Sequence, residues 1–495
     1  MKALYRFLEK TWLNALRERL ARKGRVFLIL AMVAILVTAF WSVPLLARAA
    51  DPNGADTFKE DPNAAVNMAW TLITGFLVWF MQLGFAFLGA GLIRSKNQVN
   101  YWTKSFMDFC IASLGFWAFG FALMFGGSKF FSGLDDGTSL IGFSGFFLSG
   151  ASYDVKTIMM WFFQMVFAAT ACTIVAGAVA ERMKITAYLA YAFIIGALVY
   201  PIYGKWVWGG GWLSTLSIAG STGARDFAGS GVVHMVGGLA ALIGAAMVGP
   251  RIGKFNKDGT PNNIKGHNLP FVVIGTFILF FGWFGFNPGS TLMATDLRIS
   301  VIAVNTFLAG VTGAVVAIYW VFARTGKMDI TAGCNGCLAG LVAITAPCAF
   351  VAPWAAVLIG AISVPFLFAT AYVVEKVLKV DDAVGAVPVH FGGGLWGLLS
   401  VGIFADGTYL GVKGMITGEV GQLLLQIVDI LALVAWVGFT MSVTFWMIKK
   451  TIGLRATREE ELQGLDVPEH GIEAYPEEMP QAVPLGVPGV ASKQL

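Results

Sequence analysis

Charge is scarce in this chain. Asp, Glu, Lys and Arg make up 13% of its 495 residues while 57% are hydrophobic, where a soluble domain carries about 25% charged residues. So little charge cannot keep the apolar surface of a chain this size in water, which excludes an ordinary soluble domain. Cysteine is also sparse: Cys110, Cys172, Cys334, Cys337 and Cys348 all lie in or beside apolar runs, which is no disulfide framework. Cys334 and Cys337 have a C-x-x-C spacing, but no second pair or nearby His completes a tetrahedral set, so neither a metal nor a cofactor is expected. The net charge of +5 falls in short basic clusters between apolar runs, where topology signals belong. No nucleic-acid partner is expected.

What the chain has is long apolar runs. Sixty glycines suit membrane helices, in which small residues allow close approach. Residues 1–49 join a Lys/Arg-rich stretch to an apolar run ending in Ala47-Arg48-Ala49, the order of a cleaved signal peptide; the run is also long enough for a retained anchor. Beyond it, eleven runs reach the roughly 20 residues needed to cross a ~30 Å core: 66–92, 104–125, 157–180, 186–204, 227–248, 269–287, 299–322, 333–350, 352–374, 383–405 and 420–448. Basic residues such as Arg94, Arg182, Arg251, Arg324, Lys376 and Lys449 mark alternate connections, which puts the C-terminus inside and the mature N-terminus outside. The expected fold is therefore an all-α polytopic membrane protein, with a transmembrane domain over 50–450 and a cytoplasmic C-terminal tail over 451–495. Five prolines, from Pro468 to Pro488, make the end of that tail a candidate for disorder.

Two stretches repeat. Asp226, Gly229, Val233, His234, Gly237, Gly238 and Leu239 recur at the same offsets as Asp382, Gly385, Val389, His390, Gly393, Gly394 and Leu395. They open the fifth and tenth spans, which run in opposite directions, the pattern of an inverted five-helix repeat (spans 1–5 and 6–10). Each His follows its Asp by eight residues, ~12 Å along a helix, so the two imidazoles can approach the midplane from opposite faces. Ionisable residues at that depth are functional candidates. Asp226 and Asp382 suit capping of the Gly-rich helices that follow, and Asp226, facing out, can add cation attraction. His267, in a basic loop, and His470, in the tail, are expected to be solvated.

In order along the chain, Gly84 to Asn97, Phe163 to Phe167, Gly177 to Arg182, Trp208 to Trp212, Asp226 to His234, Gly285 to Ser290, Asn335 to Thr345, Asp382 to His390 and Gly464 to Gly471 resemble the ammonium transporter (Amt/Mep/Rh) family, Amt type. The resemblance implies a homotrimer in which each subunit has its own narrow pore. It matches Trp208, Phe167, Ser290 and Phe163 to an outer recruitment site, Phe167 and Phe286 to a stacked phenyl gate, and His234 and His390 to twin histidines in the pore. The chemistry is apt, because ammonium has donors and no lone pair, and an aromatic face attracts it once water is excluded. Two positions depart from the pattern: Gly89 stands where many members carry Glu, and Phe391 where a Gly usually follows the second His.

The resemblance points to the cell membrane, in a bacterium the inner one, and to a PII-type signal protein as a cytoplasmic partner for the inner loops and tail. An ammonium sensor and an Rh-like gas channel are the competing readings; Trp208 and Ser290 favour the cation-recruiting entrance. An intramembrane enzyme would need a nucleophile with a base, or a metal set, and the two histidines supply neither.

Overall fold

The computed structural model describes residues 50–475 apart from 129 and 132. The signal peptide expected over 1–49 and the proline-rich end of the tail, 476–495, lie outside the described residues. The apolar runs are helical. α1 is Ala64–Leu92; α2 is Gln98–Gly115, continued by a π-helical turn, Phe116–Gly120, into Phe121–Phe125. α3 is Val155–Val179, and α4 joins Ile185–Ile194, Ile195–Val199 and Tyr200–Val207. α5 opens on the π-helical Ser230–Met235 and runs on through Val236–Val248. α6 is Leu269–Phe286, α7 Ile299–Thr325, α8 Ile330–Thr345 and α9 Pro353–Tyr372. α10 opens on the π-helical Pro388–Gly392 and continues as Gly393–Phe404, and α11 is Gly421–Thr451. Among the described residues, nine helical stretches are long and apolar enough to cross a bilayer; α8 and α10 are shorter. The two-stranded ribbon of Ser217–Ile218 and Ser221–Thr222, in register Ser217↔Thr222, lies in the connection before α5.

Helix ends follow local chemistry. Asp154 caps α3 through Thr157 N–H at 3.1 Å, Asn268 caps α6 through Phe271 N–H at 3.1 Å, and Asp329 caps α8 through Thr331 N–H at 2.8 Å, each satisfying a first-turn donor. α7 stops at Gly326, whose φ of 68° is left-handed. Phe277, Phe307, Phe439 and Trp446 remain exposed on the outer faces of their helices, as expected of side chains that meet lipid rather than water.

Two helix pairs organise the centre. α1 and α6 run antiparallel in close contact: Gly84 packs on Gly275 and Leu279, and Gly91 on Asn268 and Val272. α5 and α10 do the same, with Gly231 on Leu398, Gly394 on Met235, and Gly238 on the backbone of Phe391. An added Cβ on Gly238 would lie 2.5 Å from Phe391 N, and one on Gly394 would lie 2.5 Å from Ser230 O. Without a hydrophobic force between helices in lipid, association depends on such close backbone packing.

Basic connections gather on the face that carries the tail. Arg251 makes a fork to Asp381, with Nε–Oδ2 at 2.8 Å and Nη2–Oδ1 at 2.9 Å. Arg94 pairs with Glu181, and Arg182, fully buried, donates to the carbonyls of Gly249 and Asp381. The tail folds back beneath these loops as two short helices, Arg458–Gln463 and Asp466–His470. Glu461 accepts from Arg455 and from Ile252 N–H, and Asp466 from Asn100 N–H. This docking alters the expectation for the two remaining histidines. His267 and His470 are half-buried rather than solvated, His267 with Nδ1 3.0 Å from Ile93 O and His470 with Nε2 3.2 Å from Asn100 Nδ2.

Candidate functional site

The two histidines are delivered by the same local device. Ahead of α5, the Asp226 carboxylate accepts four backbone N–H groups: Gly229 at 3.0 Å, Ser230 at 2.8 Å, and Gly231 and Val232 at 2.9 Å each. Ahead of α10, Asp382 accepts from Gly385 at 3.0 Å and Val387 at 2.7 Å. These are the donors that a helix start leaves unpaired, so both carboxylates act as caps. Burial pushes the Asp226 carboxyl up to about 6, while the four N–H groups pull it back. Gly229 adopts a φ of 112°, and a Cβ there would meet the Trp208 ring at 3.1 Å. The indole therefore lies over the start of α5, held by Nε1 donating to Asp226 O at 2.7 Å.

From half-buried Trp208 a line of rings leads inward. Trp208 meets Phe167 edge-on at 6.2 Å, Phe163 stands 4.8 Å from Phe167, and Phe167 lies against Phe286 at 4.2 Å. Phe286 is stacked on His234 at 5.3 Å, and His234 on His390 at 5.2 Å. The two imidazoles approach Nδ1 to Nδ1 at 3.2 Å. At that distance one Nδ1 must donate and the other accept, so a single proton is shared between the rings. His234 Nε2 is buried and has no partner among the described residues. Ser290, one turn after Phe286, donates its hydroxyl to Phe286 O at 2.7 Å, which leaves its oxygen lone pairs open to a donor. Beyond His390 lies a cavity of ≈ 20 Å³, lined among others by Phe85, Tyr101, Thr173 and Asn335; it has room for about one water.

The structure thus joins Trp208, Phe163, Phe167, Phe286, His234 and His390 in one column, with Asp226 and Asp382 capping the helices that carry the pair. Sequence reasoning missed Trp283, which stacks on His234 at 5.1 Å and is fixed by Nε1 donating to Thr345 Oγ1 at 2.9 Å. Its signal was available: three residues before Phe286, it shares that residue's helix face. Ser230 was also missed; it ties α5 to α8 by donating to Val342 O and accepting from Ala346 N–H, both at 2.7 Å. Phe391 is half-buried, and its backbone seats Gly238.

Residues 69–475 match the profile of the Ammonium Transporter Family. The chain is 50% identical over 465 residues to ammonium transporter Amt2 of Archaeoglobus fulgidus, across 92% of this chain and 96% of that one. The chain belongs to the ammonium transporter family. It is also 39% identical to ammonium transporter 1 member 3 of Solanum lycopersicum, over 83% of this chain and 93% of that one. Among solved structures it resembles one titled Sensor Amt Protein, with a TM-score of 0.76 and 38% identity over 83% of this chain and 100% of that chain. Candida albicans Mep2 follows at a TM-score of 0.73 and 28% identity, covering 84% and 91%. Members of the ammonium transporter family are transporters or channels rather than enzymes, and this member is a multi-pass membrane protein.

Proposed function

We propose that this transporter recruits ammonium at Trp208, Phe163, Phe167 and Ser290, strips it of a proton at the Phe167–Phe286 gate, and passes ammonia along His234 and His390. The carrying observation is the unbroken line of rings from half-buried Trp208 to the cavity beyond His390. Aromatic faces attract a cation, and the Ser290 oxygen can accept one of its N–H bonds. Below the gate the surroundings are apolar, and a bare charge there would lose its hydration without a counter-ion. Ammonia has no such cost. Its lone pair and N–H groups suit His234 Nε2, which lacks a protein partner among the described residues. Asp226 supports the outer site through its caps and its negative charge.

The architecture assigned to this function is eleven crossings, with spans 1–5 and 6–10 as inverted repeats, the N-terminus outside and the tail in the cytoplasm. The antiparallel pairing of α1 with α6 and of α5 with α10 supports the repeat. The basic face shared with the tail supports the orientation. The subunits form a homotrimer in the cell membrane, the inner one in a bacterium, and the tail face offers a docking surface to a PII-type signal protein. The likeness to the Sensor Amt Protein favours ammonium sensing as the second reading.

Proteoliposomes given an ammonium jump test this. Wild type is expected to give ammonium-dependent flux read as an internal pH change, and His234→Ala and His390→Ala to lower its rate by about tenfold or more. Flux without current is what passage of ammonia alone gives, and a current beside it would mean that the stripped proton crosses too. Neither current nor flux in folded wild type would sink the transport reading and favour the sensor.

A further inference from the structure

Between α2, α3 and α4, beside the pore, lies a cluster of buried polar side chains that the transport mechanism above does not use. Asp108 is fully buried there, and its Oδ2 accepts from the Tyr188 hydroxyl. Its Oδ1 and the buried oxygens of Ser105, Thr173 and Tyr191 make no well-aligned hydrogen bond among the described residues, though Thr173 lies within reach of Asp108, Ser105 of Tyr101 and Tyr191 of Tyr188. No ion pair among the described residues includes Asp108. Lys104, one turn away, turns instead to Met183 O on the tail side. The titratable groups facing Asp108 are Tyr101 and Cys110 on its own helix, Cys172 on α3, and Tyr188 and Tyr191 on α4. A lone buried carboxylate is costly unless it holds a proton or meets water, and a carboxyl oxygen whose neighbouring hydroxyl is close but poorly aligned is placed to exchange a proton with it.

The cluster adjoins the pore. Thr173 lies beside Asp108 and also lines the cavity below His390, as does Tyr101, which neighbours Ser105. We propose that Asp108 is the exit-side proton donor of the transport cycle, acting through the Thr173 hydroxyl on ammonia in the cavity below His390. The O–H bond of the Asp108 carboxyl breaks as Thr173 takes that proton and passes its own on. An N–H bond forms on ammonia, and ammonium leaves toward the tail side. Asp108 then regains a proton from water on that side, so the net change is one proton moved from tail-side water to ammonia. This rests on the proposed transport function, because only ammonia emerging from the histidines presents a lone pair to the cavity.

The test measures ammonia uptake into proteoliposomes against the pH on the tail side, for wild type, Asp108→Asn, Asp108→Glu and Thr173→Val. Asp429→Asn is the control, since Asp429 is another buried carboxylate with a tyrosine donor, Tyr203 at 2.6 Å. Asp108→Asn and Thr173→Val are expected to lose about tenfold in rate and most of the pH dependence, with Asp108→Glu regaining both. Infrared spectra of the same samples should show a protonated-carboxyl band that titrates in wild type and disappears in Asp108→Asn. Wild-type rates and pH profiles in Asp108→Asn and Thr173→Val would overturn the proposal. So would an equal flattening in Asp429→Asn, or the absence of the titrating band. Failure of wild type to transport would strike the proposed function, while the infrared result still decides whether Asp108 exchanges a proton.

Discussion

At Gly89, where the family resemblance leads one to expect Glu, a neighbour explains how the space is filled. A Cβ on Gly89 would lie 1.8 Å from the Tyr101 hydroxyl oxygen and 2.2 Å from its Cζ, so the tyrosine occupies the room a longer side chain would need. Gly89→Ala is therefore expected to cost ~1–3 kcal/mol by overpacking, read as a lower melting temperature in detergent. Tyr101→Leu in the same chain should restore most of the loss. An unchanged melting temperature in Gly89→Ala would mean that α1 and α2 part at little cost. Site residues were legible where sequence spacing carried their geometry: the repeat paired His234 with His390. Trp283, Thr345 and Asp108 were not singled out, because their roles come from contacts with other helices. Thr345 matters only because Trp283 points its Nε1 at it across α6 and α8.

The element that decides the pore is the crossing of α5 and α10. Each enters through a π-helical turn holding its histidine, and the two are held together where Gly238 meets Phe391 and Gly394 meets Ser230 and Met235. A methyl group at either glycine would push the half-helices apart and separate the imidazoles from their 3.2 Å approach. Gly238→Ala and Gly394→Ala are expected to slow ammonium-driven flux by about tenfold, since misplacement of about 1 Å can cost a hundredfold. Gly438→Ala on α11, where a Cβ would meet nothing within 4 Å, should leave flux unchanged. Flux at the wild-type rate in both Gly238→Ala and Gly394→Ala would count against the crossing as the determinant. The positions of the helices themselves were plain from hydropathy, and α1, α3, α6 and α11 begin or end within a few residues of the apolar runs. The π-helical turns carried no such mark, because they change hydrogen-bond registry without changing composition.

At the scale of the molecule, the tail face is locked by charges from distant parts of the chain. Burial acts to raise the Asp381 carboxyl, but the Arg251 and Arg182 guanidiniums more than offset it and hold the group at about 2, below its ordinary 3.8. A carboxyl whose pKa is depressed by folding stabilises the fold above its unfolded value and loses that contribution as pH falls through the folded one. Between pH of about 4 and about 2 the detergent-solubilised protein is thus expected to lose ~2 kcal/mol from this group. Asp381→Asn should be less stable at neutral pH, because Arg251 loses the carboxylate it forks onto and keeps only the looser pair with Glu181 at 3.7 Å, and should lack that acid step. Parallel losses in both proteins would place the acid sensitivity elsewhere. By itself the sequence determined the membrane environment, the helical segments and the histidine pair. Those are written in composition, in apolar run length and in a repeat read at fixed offsets, which need only neighbouring residues and a lipid solvent. The tertiary structure alone decided that the tail folds back to bury Glu461 and Asp466, that Ser230 ties α5 to α8, and that Asp108 sits beside the pore without a counter-charge among the described residues. Each of these depends on which groups, far apart in the chain, come within hydrogen-bond reach once the helices pack.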